Sequence, residues 1–329
     1  MTTEDARLKV LYLAGWQRSG STILSNILGQ LPGFFSGGEL YYFWPHAAKD
    51  KVLCGCGAPF RECALWREVM QRAFGETAPD PDRMRRLGVE GLRTRNMPSL
   101  AFERPRRRIL DTHAEYAETI DKLYSAIADT TGCDVIVDSS KWPPYGLLLS
   151  DRPDLDVYVL HLVRDPRAVA HSWQRRNPRP DRGGRPFMSR TPGSSSARWL
   201  AWNAAAEAYW GRDPRRYVRL RYEDFVARPV ETVQRILDML GKSSLQVDLT
   251  ADREVFLDVC HTVDGNPVRL RRGLVPLKKD DEWETAMDLR TKVAVTSMTL
   301  PLLMRYGYPL RPIGQTEEAQ VRRDREATG

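Results

Sequence analysis

The chain has 329 residues, of which 42% are hydrophobic, with 50 Lys and Arg set against 43 Asp and Glu for a net charge of +7. That is enough apolar material for one large core, and no apolar run approaches the roughly 18 residues that cross a membrane. The basic residues are spread through the chain and mixed with acidic ones, so the charge suits a polyanionic ligand and does not argue for nucleic acid. No basic, apolar, small-residue series at the N-terminus resembles a secretory signal, and the cytoplasm is the expected compartment.

Leu8 to Ala14 is a short apolar run that predicts a buried strand. Ile23, Leu24, Ile27, Leu28 and Leu31 carry helical spacing from Ser21 onward. Between them, Gly15 to Thr22 keeps the spacing of a phosphate-binding loop, but Ser21 replaces the lysine that would reach the β- and γ-phosphates of a nucleoside triphosphate. A cation stands inside the loop instead, as Arg18. Such a loop still offers backbone N–H groups, the hydroxyls of Ser19, Ser21 and Thr22, and a helix N-terminus to an anion. Without the triphosphate lysine it points to a different phosphorylated donor.

An apolar turn through Phe34 and Phe35 leads to Gly37-Gly38-Glu39. Cys54-Gly-Cys56-Gly and Cys63 then bring three thiols close together, with His46 nearby. The spacing lacks the paired C-x2-C elements of a strong zinc motif, so reduced cysteines in a structural loop are expected, a local disulfide to Cys63 being open only under oxidising conditions. Residues 60–130 read as helices whose crowded arginines either favour an anionic acceptor or, as the expected case, sit on solvated helix faces.

Asp134 to Asp138 is a second buried strand, ending in Ser139-Ser140-Lys141, and Asp156 to Val163 is a third, followed by Arg164-Asp165-Pro166 and a helix that carries Ser172. Ligands of parallel α/β sheets bind where such strands end. Residues 174–197 form a Pro/Gly/Ser/Arg-rich loop of lid length. His261 to Gly273 mixes turn formers with Arg269, Arg271 and Arg272. Residues 314–329 read as a flexible tail.

Taken together, these segments resemble the sulfotransferases that use 3′-phosphoadenosine-5′-phosphosulfate (PAPS), over roughly residues 8–310. The resemblance is to bacterial enzymes of the glutamate-base type, similar to carbohydrate and tyrosylprotein sulfotransferases. It implies that Arg18-Ser19-Gly20-Ser21-Thr22 holds the 5′-phosphosulfate and that Arg164 and Ser172 hold the 3′-phosphate. The family also shows a strand ending in a run like Arg221-Tyr222-Glu223-Asp224 with a helix after it, which implies a fourth strand near 216–221 and a helix over Pro229 to Leu240; Tyr222 in that run and Arg271-Arg272-Gly273, upstream of Trp283, complete the implied donor site.

Sulfuryl transfer needs a neutralised leaving phosphate and a deprotonated acceptor hydroxyl, and the donor itself requires no metal. Arg18, a permanently charged fork donor, suits the first need. Relatives use either a histidine in a T-H pair or a glutamate after the donor loop. Glu39 stands about twenty residues after Arg18, at the position of that glutamate, so the resemblance makes it the expected base; Thr112-His113 also supplies a T-H pair, but without a strand before it. Lys141 takes the place of a lysine that bridges donor sulfate and acceptor oxygen in glutamate-type relatives.

The expected fold is α/β, a P-loop-like central parallel sheet with helices on both faces. One domain would span 1–313, with acceptor-site insertions at about 60–130 and 174–197. The expected partners are a small-molecule, glycan or lipid acceptor with a free hydroxyl and, as an open case, a second copy in a homodimer, without nucleic acid or a membrane span. A P-loop small-molecule kinase, with Asp138 as the Mg²⁺ carboxylate, and a non-catalytic nucleotide-binding protein are the competing readings.

Overall fold

Five parallel strands, β1 (Leu8–Ala14), β2 (Phe34–Gly38), β3 (Val135–Asp138), β4 (Leu155–Val163) and β5 (Tyr217–Arg221), pair in the order β2-β3-β1-β4-β5. The structure, a computed structural model, describes residues 7–49, 52–175, 178–184, 188–246 and 254–310. β1 is flanked on both edges and covered on both faces, which is why it reads as a continuous apolar run instead of an alternating one. Its residues still divide by face. Val10 and Tyr12 pack with Ile136, Val157 and Val159, while Leu11 and Leu13 pack with Val135, Val137, Leu160 and Leu162. Leu11 and Leu13 are fully buried, each contributing about 1.5–3 kcal/mol by leaving water.

Helices close both faces, as the α/β expectation requires. α1 (Ser21–Leu28) and, much later in the chain, a helix over Pro229–Met239 supply Leu24, Leu28, Val233 and Ile236 to the Leu11 side. α2 (Ala114–Thr131) supplies Ile120, Leu123 and Ile127 to the Val10 side. A separate aromatic cluster joins α3 (Pro166–Gln174), α4 (Pro192–Trp210) and α5 (Leu289–Arg305) through Trp173, Trp199, Trp202 and Leu303.

The four expected strands are present, and the structure adds three. Phe34–Gly38 is a strand, not a turn: its two glycines mask its β-propensity, while Ser36 Oγ lies 2.7 Å from Ser25 Oγ and fastens it under α1. β6 (Glu254–Leu257) and β7 (Gly273–Pro276) form an antiparallel ribbon. The loop expected over 174–197 ends early. Pro192 opens α4, and the Thr191 side chain accepts from the Ser194 N–H as its cap. Residues 176–177 and 185–187 of that loop, and the tail at 314–329, lie outside the described residues. Among the arginines of 83–108, Arg83 pairs with Glu115 and Arg107 with Glu103 on exposed surface, as solvated faces would.

Candidate active site

From β1 the chain passes to β2 and β3 on one side of the sheet, and β4 and β5 lie on the other. The loops after β1 and β4 therefore diverge and leave a crevice at the carboxyl ends of the strands. Arg18 and Arg164 occupy it. Arg164 Nη1 donates to the Arg18 carbonyl at 3.0 Å, its Nη2 lies 3.0 Å from Asp280 Oδ2, and its guanidinium stacks 4.6 Å from the Tyr222 ring centroid.

The loop after β1 is held from several directions. Ser19 Oγ donates to the Trp16 carbonyl at 2.7 Å. Gly20 caps α1 in the left-handed region (φ 83°), and a Cβ there would stand 2.5 Å from the Tyr222 ring, so both conformation and space call for glycine. Thr22 Oγ1 accepts from the Asn266 N–H at 3.1 Å, which draws the late 261–273 segment against the helix start.

On the other side of the crevice, Glu39 follows β2 and Lys141 follows β3. Their side chains, 11% and 4% exposed, form an ion pair of 2.8 Å between Lys141 Nζ and Glu39 Oε1, and Lys141 Nζ also donates to the Ser139 carbonyl. Among the described residues, Arg18 (φ 70°) and Lys141 (φ 63°) are the two non-glycine residues at positive φ. Such strain persists only where surrounding structure enforces it, and it gathers at functional sites.

Arg18, Gly20, Ser21, Thr22, Glu39, Lys141, Arg164, Ser172, Tyr222 and Arg271 all line a single cleft of about 1470 Å³. Three expected donor-site residues do not. Ser19 is turned to the Trp16 carbonyl, Gly273 begins β7, and Arg272 donates to the Gly55 and Arg269 carbonyls, so of the two adjacent arginines only Arg271 faces the cleft. His113 also lies outside the cleft lining. It caps α2, and its Nδ1 donates to the Ile109 carbonyl at 2.7 Å. Asp138 is fully buried, accepting from Tyr124 Oη at 2.5 Å and from Ser140, and burial pushes its carboxyl up to about 6.

The cleft also holds residues that sequence reasoning did not assign. Arg175, Arg179, Arg190 and Arg198 add cations. Burial, then the Arg179 charge, lowers the Arg18 guanidinium to about 10; Glu39 opposes this, and Arg175 and Arg164 lower it further. Arg18 thus remains a cation at neutral pH within a positive cluster fit for a multiply charged anion. Its guanidinium lies 5.0 Å from the Trp173 ring, and an aromatic wall continues through Trp16, Trp202 and Trp142, with centroids 4.9 Å apart for Trp16 and Trp202 and 5.3 Å for Trp142 and Trp202. The available signal was positional, because Trp16, Trp142 and Trp173 each stand beside a residue already singled out at a strand end or helix start.

Comparison with known proteins gives the fold's relatives and the family. Two solved structures share the fold: the sulfotransferase domain from the curacin biosynthetic pathway, at TM-score 0.54 and 16% identity over 93% of this chain and 99% of that one, and the sulfotransferase domain from the Synechococcus PCC 7002 olefin synthase, at TM-score 0.54 and 20% identity over 94% and 98%. At these identities both speak for the fold alone. None of the curated proteins is a match in sequence. The sequence profile of the sulfotransferase family matches residues 11–244, from β1 through the helix over Pro229–Met239, and the chain belongs to that family.

Proposed function

We propose that this sulfotransferase uses PAPS as donor and transfers its sulfuryl group to an acceptor hydroxyl with Glu39 as the general base. The observation that carries the reading is the meeting of Arg18, Arg164 and the Glu39–Lys141 pair in one cleft, although their four segments are far apart in sequence. In this reading the α1 N-terminus with Arg18, Ser21 and Thr22 takes the 5′-phosphosulfate. Arg164, Ser172 and Arg271 take the 3′-phosphate, and Tyr222 braces Arg164 from its ring face.

The acceptor oxygen attacks sulfur while the bond from sulfur to the bridging phosphate oxygen breaks. The hydroxyl proton passes to Glu39, and the departing adenosine 3′,5′-bisphosphate carries charge that Arg18 stabilises. Lys141, beside Glu39, orients the carboxylate and offers a cation to the transferring group. Trp16, Trp142 and Trp202 give the acceptor an apolar, planar surface, so the favoured acceptor is a hydroxyl on a body with an apolar face, such as a natural product, a lipid or a sugar ring.

A kinase reading has no comparable support. The loop carries Ser21 where the phosphate lysine would stand, and Asp138 is turned into the protein against Tyr124 and Ser140. Calorimetry with adenosine 3′,5′-bisphosphate, with and without Mg²⁺, tests the donor, and mass spectrometry of candidate acceptors incubated with PAPS tests transfer. Binding that needs Mg²⁺, or no acceptor that gains a sulfate while a nucleoside triphosphate phosphorylates one, would overturn the reading.

A further inference from the structure

A second constellation lies outside the catalytic cleft. The sequence brings Cys54, Cys56 and Cys63 together, but the structure supplies a fourth member that is not the neighbouring His46. His46 Nε2 faces Asp264 at 3.4 Å. The fourth member is His261, whose Nδ1 lies 3.2 Å from Cys63 Sγ and 3.9 Å from Cys54 Sγ, while Cys56 Sγ lies 3.8 Å from Cys63 Sγ. All four ligand atoms fall within 4.8 Å of one another, with Cys54 and Cys63 buried and Cys56 and His261 half-buried. The thiols are not joined in a disulfide.

We propose that Cys54, Cys56, Cys63 and His261 form a structural zinc site that clips the 54–63 turn to the 261–273 segment. Zinc with three thiolates and one imidazole is tetrahedral, with Zn–S near ~2.3 Å and Zn–N near ~2.0 Å. The edges of such a tetrahedron are roughly 3.5–3.8 Å, and the observed separations of 3.2, 3.8 and 3.9 Å bracket that range. Soft thiolate ligands select zinc over the hard cations that phosphate chemistry uses. All four protein ligands close the shell, so the site leaves no open position for catalysis.

The backbone around the ligands is built to hold them. Cys54 N–H donates to the Ala58 carbonyl at 2.8 Å and Gly57 N–H to the Cys54 carbonyl at 2.9 Å, forming a tight turn that presents Cys54 and Cys56 together. Gly55 N–H donates to the Thr262 carbonyl at 2.9 Å, and a Cβ on Gly55 would stand 2.5 Å from Thr262 Oγ1, so this approach between the two segments needs glycine. Arg272, which does not face the cleft, donates to the Gly55 carbonyl, placing a cation beside a site whose three thiolates outweigh one Zn²⁺. This accounts for the residue that the donor site left unused.

What the clip holds is functional. A few residues beyond His261, the same segment lines the cleft with Asp264, Gly265, Asn266 and Arg271, and Asn266 braces Thr22. The assignment does not rest on the sulfotransferase mechanism, because metal content is read without activity.

Elemental analysis of the full chain, purified without a metal-affinity column from zinc-supplemented culture, should find about one zinc per chain. That zinc should be lost in Cys56→Ser and Cys63→Ser and kept in Cys133→Ser. Because Cys63 is buried and its variant can fail to fold, the half-buried Cys56 gives the decisive comparison. Cobalt exchanged into the native chain should give the visible bands of a tetrahedral site and a thiolate charge-transfer band, both absent in Cys56→Ser. Zinc retained in Cys56→Ser, a zinc-free native chain carrying a Cys56–Cys63 disulfide, or stoichiometric iron in its place would each overturn the assignment.

Discussion

Glu39 and Lys141, 102 positions apart in the chain, meet as a 2.8 Å ion pair because β2 and β3 are neighbours in the sheet and each residue follows the end of its strand. Both side chains are nearly excluded from water. A pair in that setting is costly to break, since removing one member leaves the other charge buried, at about 3–5 kcal/mol. The pair thus fixes where a carboxylate oxygen points and holds a cation beside it, which suits proton abstraction next to a transferring anion.

Glu39→Gln keeps the shape of the side chain and removes its basicity. Turnover at saturating donor should fall roughly 10²–10⁴-fold, the usual range for loss of a general base, while the affinity for adenosine 3′,5′-bisphosphate stays within a few-fold. His113→Ala, outside the cleft, should retain near-native turnover. A dead His113→Ala enzyme beside an active Glu39→Gln enzyme would reverse the assignment.

Arg18 is strained and crowded by like charge, so its removal should separate stability from function. Arg18→Gly relieves the positive φ and the repulsion from Arg179, Arg175 and Arg164. The variant should be as stable as the native chain or more so by about 1 kcal/mol, and inactive. Chemical denaturation together with a sulfation assay reads both, and a clear loss of stability would show that Arg18 is structural.

Arg164→Ala and Ser172→Ala should weaken donor binding, with each lost charge-assisted bond costing on the order of 1.5–3 kcal/mol. Arg164 also pairs with Asp280, so Asp280→Asn serves as the control for that support. Titration calorimetry with adenosine 3′,5′-bisphosphate is the measurement. Native affinity in both alanine variants would remove these residues from the donor site.

Two buried groups should set opposing pH dependences of stability. Asp138, raised by burial from 3.8 to about 6, binds its proton more tightly when folded, so its contribution is full below pH ~4 and is lost as pH rises towards 6. His161, buried between Tyr217 Oη and Asn203 Oδ1 and lowered by burial from 6.5 to about 4, is stabilising as the neutral ring above pH ~6.5, and that contribution is lost as pH falls towards 4. The two act in opposite directions over the same pH range. Asp138→Asn should unmask the histidine, giving denaturation free energies that climb more steeply between pH 4 and 6.5 than those of the native protein; an unchanged slope would contradict the buried, raised carboxyl.

Local pattern made much of the fold legible. Three of the five parallel strands, the helix after the first, and the anion loop before that helix follow from apolar runs, helical spacing and Gly-Ser punctuation, all interactions between residues close in sequence, while β5 is implied by the resemblance of Arg221-Tyr222-Glu223-Asp224 to the family's strand end. Arg18, Arg164 and Lys141 could be named because each follows a predicted strand or stands in a recognisable motif, and Glu39 because the resemblance puts a glutamate after the donor loop. β2 escaped because five residues ending in two glycines carry almost no local signal, and it exists through its pairing with β3 and its packing under α1.

What only the tertiary structure decided are relationships between distant positions. Nothing in Arg271-Arg272 says which guanidinium faces the cleft; that depends on where the 261–273 segment crosses the turn at Gly55. The sequence groups three thiols with His46 as their nearest histidine in the chain, whereas the fold turns His46 towards Asp264 and brings His261 to the thiols from 198 positions beyond Cys63. Local propensity acts over a few residues, but the convergence of side chains at one point is set by sheet order and loop crossing, which no short window of sequence contains.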